Sequence, residues 1–340
     1  MKIQIFRSFL ILFFATFMMA SVAWADEDAR DDCRLTRAFP KFVNCDKGDS
    51  IQRAVDRAWP GNTIRIKGKC WESVTIVKSR ITLAGAPYGG VDGEIAVVGA
   101  RQVVIDNLHV TGDGNGVAAT ENAPVTVQYS RIEGNASSGV VAAEGAVVIL
   151  IENSITDNAN YGVLATDGGN LQIRGNNIIE SDVPSYLTGA AIGGFRQTMV
   201  HITGGGNTIT NTAFEPPTNP GNSSSAKGFA IDIANNSHLR QDRGDATING
   251  NIEILNLTSA DIRQAEINGW VFVDGLSANL RLRNSTFVGG LNMYGEAQIR
   301  NNVDWTGDAF CNGNFLNPSQ PITGNRINCS PPPPPPPPTP

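Results

Sequence analysis

Three successive stretches decide the fold: GVAATENAPVTVQYSRIEGNASS at 116–138, GVVAAEGAVVILIENSITDNANY at 139–161 and GVLATDGGNLQIRGNNIIESDVP at 162–184. Gly116, Gly139 and Gly162 fall beneath one another, and Gly93 lies one further step of 23 residues upstream. Val104, Val127, Leu150 and Ile173 keep the same step, as do Ile132, Ile155 and Ile178. Within each stretch the apolar residues alternate, Val117 with Ala119 and Val125 with Val127. A period of two belongs to short strands with one buried face. One such unit cannot bury its apolar side alone. Stacked units can, each strand pairing with its copies at a spacing of ~4.8 Å. The expected fold is all-β, a parallel β-helix solenoid of about 23 residues per coil. Ser130, Asn153 and Asn176 form one column, read as an amide ladder between coils.

Outward from this repeat, Asp49-Ser50 followed by Ile51, Ala54, Val55 and Ala58 predicts a short helix, ended by Pro60-Gly61. With the strand Thr63 to Ile66 it reads as an N-terminal helix cap over about 44–61. The five cysteines, Cys33, Cys45, Cys70, Cys311 and Cys329, fit no zinc spacing. Cys45 is expected to pair with Cys70, with Cys33–Cys45 the competing bridge. Cys311–Cys329 is expected to close a C-terminal disulfide cap at 311–329. Residues 1–25 have the form of a signal peptide: Lys2 and Arg7, an apolar run from Phe9 to Met19, then Ala23-Trp24-Ala25. Cleavage is expected after Ala25, giving a secreted or periplasmic protein with no later membrane span. A single domain then occupies 26–330, followed by a polyproline tail at 331–340.

The chain has 340 residues with 26 basic and 32 acidic side chains, a formal charge of −6. That balance argues against a nucleic-acid partner, since no phosphate-neutralising surface is evident. Three histidines leave little room for an imidazole metal cage.

Ser50-Ile51-Gln52-Arg53-Ala54-Val55, Pro60-Gly61-Asn62-Thr63-Ile64 and Ile81-Thr82-Leu83-Ala84-Gly85 resemble the opening of right-handed parallel β-helix proteins of the pectin-lyase-like superfamily. The later Gly-Val and Asn-Ser-Ile units resemble its coils, so the resemblance spans about 44–310. It implies a right-handed coil and leaves activity open, because the superfamily holds polysaccharide lyases, hydrolases, epimerases and adhesins. Its enzymes usually work on the outer face of the first sheet, here the Gly-Val strands. Outward positions on these strands are Ala118, Val141 and Leu164, then Thr120, Ala143 and Thr166, none of them an acid or a base. No Asp-Pro-His run of the alginate-epimerase kind occurs, and no Gly-His-Gly of the polygalacturonase kind.

Two places on the chain could carry chemistry. Glu121, Glu144 and Asp167 each follow the column glycine by five residues. Stacked, they would form a calcium edge or an acid pair, or merely repeat an acid-Gly turn. The second place is where the repeat breaks. Ile155 to Gly162 spans 7 residues, Ile178 to Gly189 spans 11, and Ile209 to Gly228 spans 19. Lengthened turns in a solenoid commonly border its binding face. Asp232 then replaces an apolar outward residue, with Lys227 just before it. Asp182, Tyr186, Glu215 and Asp232 are the candidate ligand-binding residues, and Asp232, Lys227 and Arg196 the candidate catalytic ones. Asp232 is expected to behave as a surface residue, so that Asp232→Ala costs no more than about 0.5 kcal/mol. His201 is read as a strand histidine without a partner, and His238 to Asp245 as a self-paired charged loop. The expected function is glycan binding by an exported β-helix, with a polysaccharide lyase or hydrolase, calcium-assisted, as the alternative. The sequence leaves the oligomeric state open.

Overall fold

The computed structural model describes residues 41–328, apart from 88, 185–188, 219–225, 243, 276, 294–295, 301–302, 306–308, 312–313 and 317–325. Beyond Met293 it describes the strands by their backbone alone, with Val303 the one residue there whose burial is given. The signal peptide, Cys33, Tyr186, the Cys311–Cys329 pairing and the polyproline tail therefore lie outside the described residues.

Three sheets run the length of the molecule, with twelve, thirteen and eleven strands. Each coil contributes one strand to each sheet in turn. Val117–Thr120 lies in the first sheet, Pro124–Gln128 in the second and Arg131–Asn135 in the third. Pairing is parallel throughout, except that the last strands, Asn314–Leu316 and Arg326–Asn328, pair antiparallel. The alternation in the sequence becomes a stack of like residues inside. Val117, Val140 and Val163 stand in register and are fully buried. So do Val127, Leu150 and Ile173 on the second sheet. Each such side chain contributes roughly 1.5–3 kcal/mol from burial.

The coil length is not uniform. Steps of 23 residues join Val117, Val140 and Val163, but Ile95 to Val117 is a step of 22. Gly93 therefore falls out of the glycine column, and Ile105 rather than Val104 stands under Val127. One extra residue in the turn after Arg174 moves the third-sheet column to Ile179, leaving Ile178 exposed. Later steps shrink to 21, 19 and 20 residues, from Ile231 through Ile252 and Val271 to Leu291.

The amide ladder follows the same shift. The Asn153 carbonyl oxygen accepts from the Ser130 N–H at 2.9 Å, and that of Asn177 from the Asn153 N–H at 3.0 Å. Asn207 then accepts from the Asn177 N–H at 3.2 Å. Asn177 occupies the column expected for Asn176, which is exposed. A second ladder joins Asn135 to Asn158 through a 2.8 Å side-chain bond. Each amide satisfies a buried backbone donor at a turn, where no strand partner is available.

At the N-terminal end the helix Ile51–Asp56 lays Ile51 and Val55 into the core. The Ser50 hydroxyl accepts from the Arg53 N–H at 3.2 Å, and Glu72 accepts from Ser50 and from the Ile51 N–H. Cys45 and Cys70 are joined, with Cα atoms 4.9 Å apart, which excludes Cys33 as the partner of Cys45.

Candidate functional site: a buried carboxyl pair on the outer face of the first sheet

On the strand Phe229–Ala234, Ile231 and Ile233 enter the core, so Asp232 points to the outer face. Its register partners are Gly193 on one side and Glu253 on the other. Glu253 sits between Ile252 and Ile254 as Asp232 sits between Ile231 and Ile233. Phe272 and Asn292 continue the row. The same row carries Ala96, Ala118, Val141 and Leu164 in the earlier coils. The chemistry of this face thus changes at Asp232.

The pair is not exposed: Asp232 retains 6% of its accessible surface and Glu253 3%. Two lengthened turns lead into this part of the sheet. Eight residues separate Ile155 from Val163, whereas 13 separate Ile179 from Ile192 and 22 separate Ile209 from Ile231. The turns are tied to each other and to the next coil. The Gly228 N–H donates to the Pro184 carbonyl at 3.3 Å. The Asn211 amide donates to the carbonyls of Val183 and Phe229. Asn251, fully buried, donates to the Lys227 carbonyl at 2.8 Å. Ala190, Ala226, Phe229 and Phe272 make a second apolar cluster on this side, with Tyr161 and Trp270 against it. Trp270 stacks on Phe272 with ring centroids 6.2 Å apart.

Tyr161 lies across Gly193. A Cβ at residue 193 would come within 2.6 Å of its ring, so this coil needs glycine to admit it. Its ring meets Phe195 edge-on at 5.8 Å. Burial raises the Tyr161 hydroxyl pKa, and the charges of Asp232 and Glu253 raise it further. Burial also lifts the Asp232 carboxyl well above the usual carboxylate range, with Glu253 adding to the effect. One Asp232 oxygen has no hydrogen-bond partner. A buried carboxyl with a raised pKa, beside a second carboxyl and a cluster of aromatic rings, is the unusual chemistry of this molecule.

The other candidates are arranged differently. Asp232 is buried rather than on the surface, with Glu253 beside it and the Tyr161 ring across the neighbouring Gly193. Lys227 pairs with Glu215 at 2.8 Å, both more than half exposed, in a two-residue antiparallel bridge at the base of that turn. Lys227 is thus spent on Glu215, and the charge acting on Asp232 is Glu253. Asp182 is exposed on the first lengthened turn. Arg196 follows the strand Ile192–Phe195, at the opposite end from the turns, and pairs with Asp167 at 3.1 Å. It borders a surface pocket with Asp167, Asn235 and Asn256. Glu121, Glu144 and Asp167 occupy equivalent turns with φ of 53°, 52° and 50°. Among the described residues no three His, Cys, Asp or Glu side chains gather into a metal-sized group. Their recurrence follows from the turn, in which Gly145 and Gly168 also have positive φ. His201 has a partner, Asp242, 2.9 Å away, which Arg240 also reaches at 2.8 Å.

Sequence reading missed Glu253 and Tyr161. The signal for Glu253 was present: Ile231-Asp232-Ile233 recurs as Ile252-Glu253-Ile254 one coil later.

Residues 45–178 match the family described as right handed beta helix region. No curated protein matches the chain. Among solved structures, the enzymatically active domain of bacteriophage CBA120 tailspike protein 2 is 12% identical, with a TM-score of 0.44 over 79% of this chain and 43% of that one. ORF18 of Geobacillus virus E2 is 14% identical, with a TM-score of 0.42 over 79% of this chain and 61% of that one. The A-module of an Azotobacter vinelandii mannuronan C-5 epimerase is 12% identical, with a TM-score of 0.34 over 81% of this chain and 97% of that one. The chain thus spans less than two thirds of the first two of these structures. With three parallel sheets of stacked coils and the family match at residues 45–178, the chain has the right-handed parallel β-helix fold that its resemblance to the pectin-lyase-like superfamily implied.

Proposed function

We propose that this is an exported glycan-binding β-helix whose ligand lies along the outer face of the first sheet, beside the two lengthened turns. The observation that carries this reading is the Asp232–Glu253 pair, stacked on a face that is otherwise apolar and walled by Tyr161, Phe272 and Trp270. Sugar rings offer hydroxyls to carboxyl oxygens and C–H faces to aromatic rings, and this row supplies both. A polysaccharide is long and a sheet face is straight, so successive sugars would meet successive coils. Both carboxyls are buried, so a ligand has to displace the side chains packed around them.

The raised pKa of Asp232 favours one further reading, cleavage of the bound glycan. A carboxyl that keeps its proton can donate it to a glycosidic oxygen, while a neighbouring carboxylate acts as base or nucleophile. In that case Asp232 is the acid and Glu253 its partner.

The test is a glycan array followed by assays for new reducing ends and for unsaturated uronates, with and without calcium. Asp232→Asn and Glu253→Gln should each weaken binding of the retained glycan by at least about tenfold, through lost hydrogen bonds to sugar hydroxyls. Wild-type affinity in both variants would rule out this face. Binding without product would leave the protein a binder, and product lost in Asp232→Asn would make it an enzyme.

A further inference from the structure

The second sheet carries an arginine field that the glycan reading does not use. Its strands His238–Gln241, Ser259–Arg263 and Asn279–Arg283 turn Leu239, Ala260, Ile262, Leu280 and Leu282 into the core. The alternate residues therefore face outward, in two rows along the axis. His201, Arg240, Asp261 and Arg281 stand in register in one row. Arg263 and Arg283 stand in register in the other, and the backbone of Arg300 continues it.

Asp261 is shared among three guanidinium groups. Arg263 reaches it at 2.7 Å, Arg283 at 3.2 Å and Arg281 at 3.9 Å, the last beyond hydrogen-bond distance. Burial alone would raise the Asp261 carboxyl. The hydrogen bond from Arg263 and the charges of Arg283, Arg263 and Arg281 outweigh it and hold the pKa below the usual value. Even fully ionised, one carboxylate balances one of the three cations. Asp242, a neighbouring carboxylate, is taken by Arg240 and His201. The Nε–H groups of Arg281 and Arg283 are buried and have no acceptor. Like charges held one strand spacing apart, with donors unpaired, are an arrangement that an anion relieves.

We propose that this face of the second sheet binds an acidic polysaccharide, through carboxylate or sulfate groups that engage Arg281, Arg283 and Arg263 from successive coils. A linear polyanion fits because the cations recur along the axis at the strand spacing of ~4.8 Å. A membrane fits less well, since Asp242 and Asp261 interrupt the positive field. A single-stranded nucleic acid fits less well because the outward residues of these three strands include no Phe, Tyr or Trp ring on which a base could stack. On a chain of net charge −6, a local basic field lets an acidic glycan approach that the whole molecule would repel. The face is independent of the Asp232 site.

Heparin and polygalacturonate serve as probes, titrated into the full-length protein by calorimetry at low and at high salt. We expect binding of at least one polyanion that weakens as salt is raised. Arg281→Gln should lower affinity about tenfold, and Arg281→Gln with Arg283→Gln further still. Arg281→Lys should lose less, because charge is kept and only the planar fork is lost. Asp261→Asn should bind more tightly than wild type, a change of opposite sign that a merely structural cluster would not produce. Arg131→Gln, whose parent residue pairs with Glu133 on the third sheet, should bind as wild type. The proposal is overturned if neither polyanion binds at low salt, or if Arg281→Gln and Asp261→Asn leave affinity unchanged. It is equally overturned if phosphatidylserine vesicles or duplex DNA bind more tightly than either polysaccharide through the same arginines.

Discussion

At the residue scale the decisive group is Asp232. A carboxyl on a solvated strand face would be inert to folding; here burial, and then the charge of Glu253, penalise the anion and raise the Asp232 pKa. Its folded pKa lies above the unfolded one. Between the two values the unfolded chain sheds its proton first, so this group's contribution to stability is present at low pH and is lost as pH rises. Asp232→Asn removes that loss. The variant should gain on wild type as pH is raised from about 4 towards neutrality, in urea unfolding followed by circular dichroism. A constant difference between the two proteins across that range would show that Asp232 ionises freely. Glycine at 193 serves the same site in another way, leaving the space that the Tyr161 ring fills.

At the scale of the element, turns do more than connect. Strands satisfy one another by backbone pairing, but each turn leaves buried N–H groups that only side chains can reach. Asn153, Asn177 and Asn207 perform this task in successive coils. Asn177→Ala strands the Asn153 N–H and should cost about 1–3 kcal/mol in urea denaturation. Asn176→Ala, one residue earlier and exposed, should stay within about 0.5 kcal/mol. The pair of variants distinguishes the observed ladder from the one that a strict 23-residue step implies. The lengthened turns are different ones, running from the third sheet to the first. Asn211 and Asn251 tie their ends through the carbonyls of Val183, Phe229 and Lys227.

At the scale of the whole molecule a solenoid is nearly one-dimensional, and each coil feels chiefly its neighbours. The Cys45–Cys70 bridge, with a sequence separation of 25, should therefore contribute about 3 kcal/mol, and locally. Reduction should speed hydrogen exchange in the segment 51–76 and leave 238–283 unchanged; a uniform rise along the chain would mean that the coils unfold as one unit.

The sequence by itself determined the parallel coil, its three short strands, the helix at 51–56 and the inward alternation, because stacking like on like is the way such a repeat buries its apolar face. It also located the break in the repeat and Asp232 within it. It could not settle the register. One residue gained or lost in a turn leaves the local pattern intact, yet it exchanged Ile178 for Ile179 and Asn176 for Asn177. Nor could it show that Asp232 is buried, since side chains far apart in the chain decide what surrounds it. Tyr161 reaches the site from 71 residues away, and Lys227, five residues from Asp232, turns to Glu215 instead. Periodicity is local and legible; what surrounds a side chain is set by contacts between distant residues, and only the tertiary structure decided it.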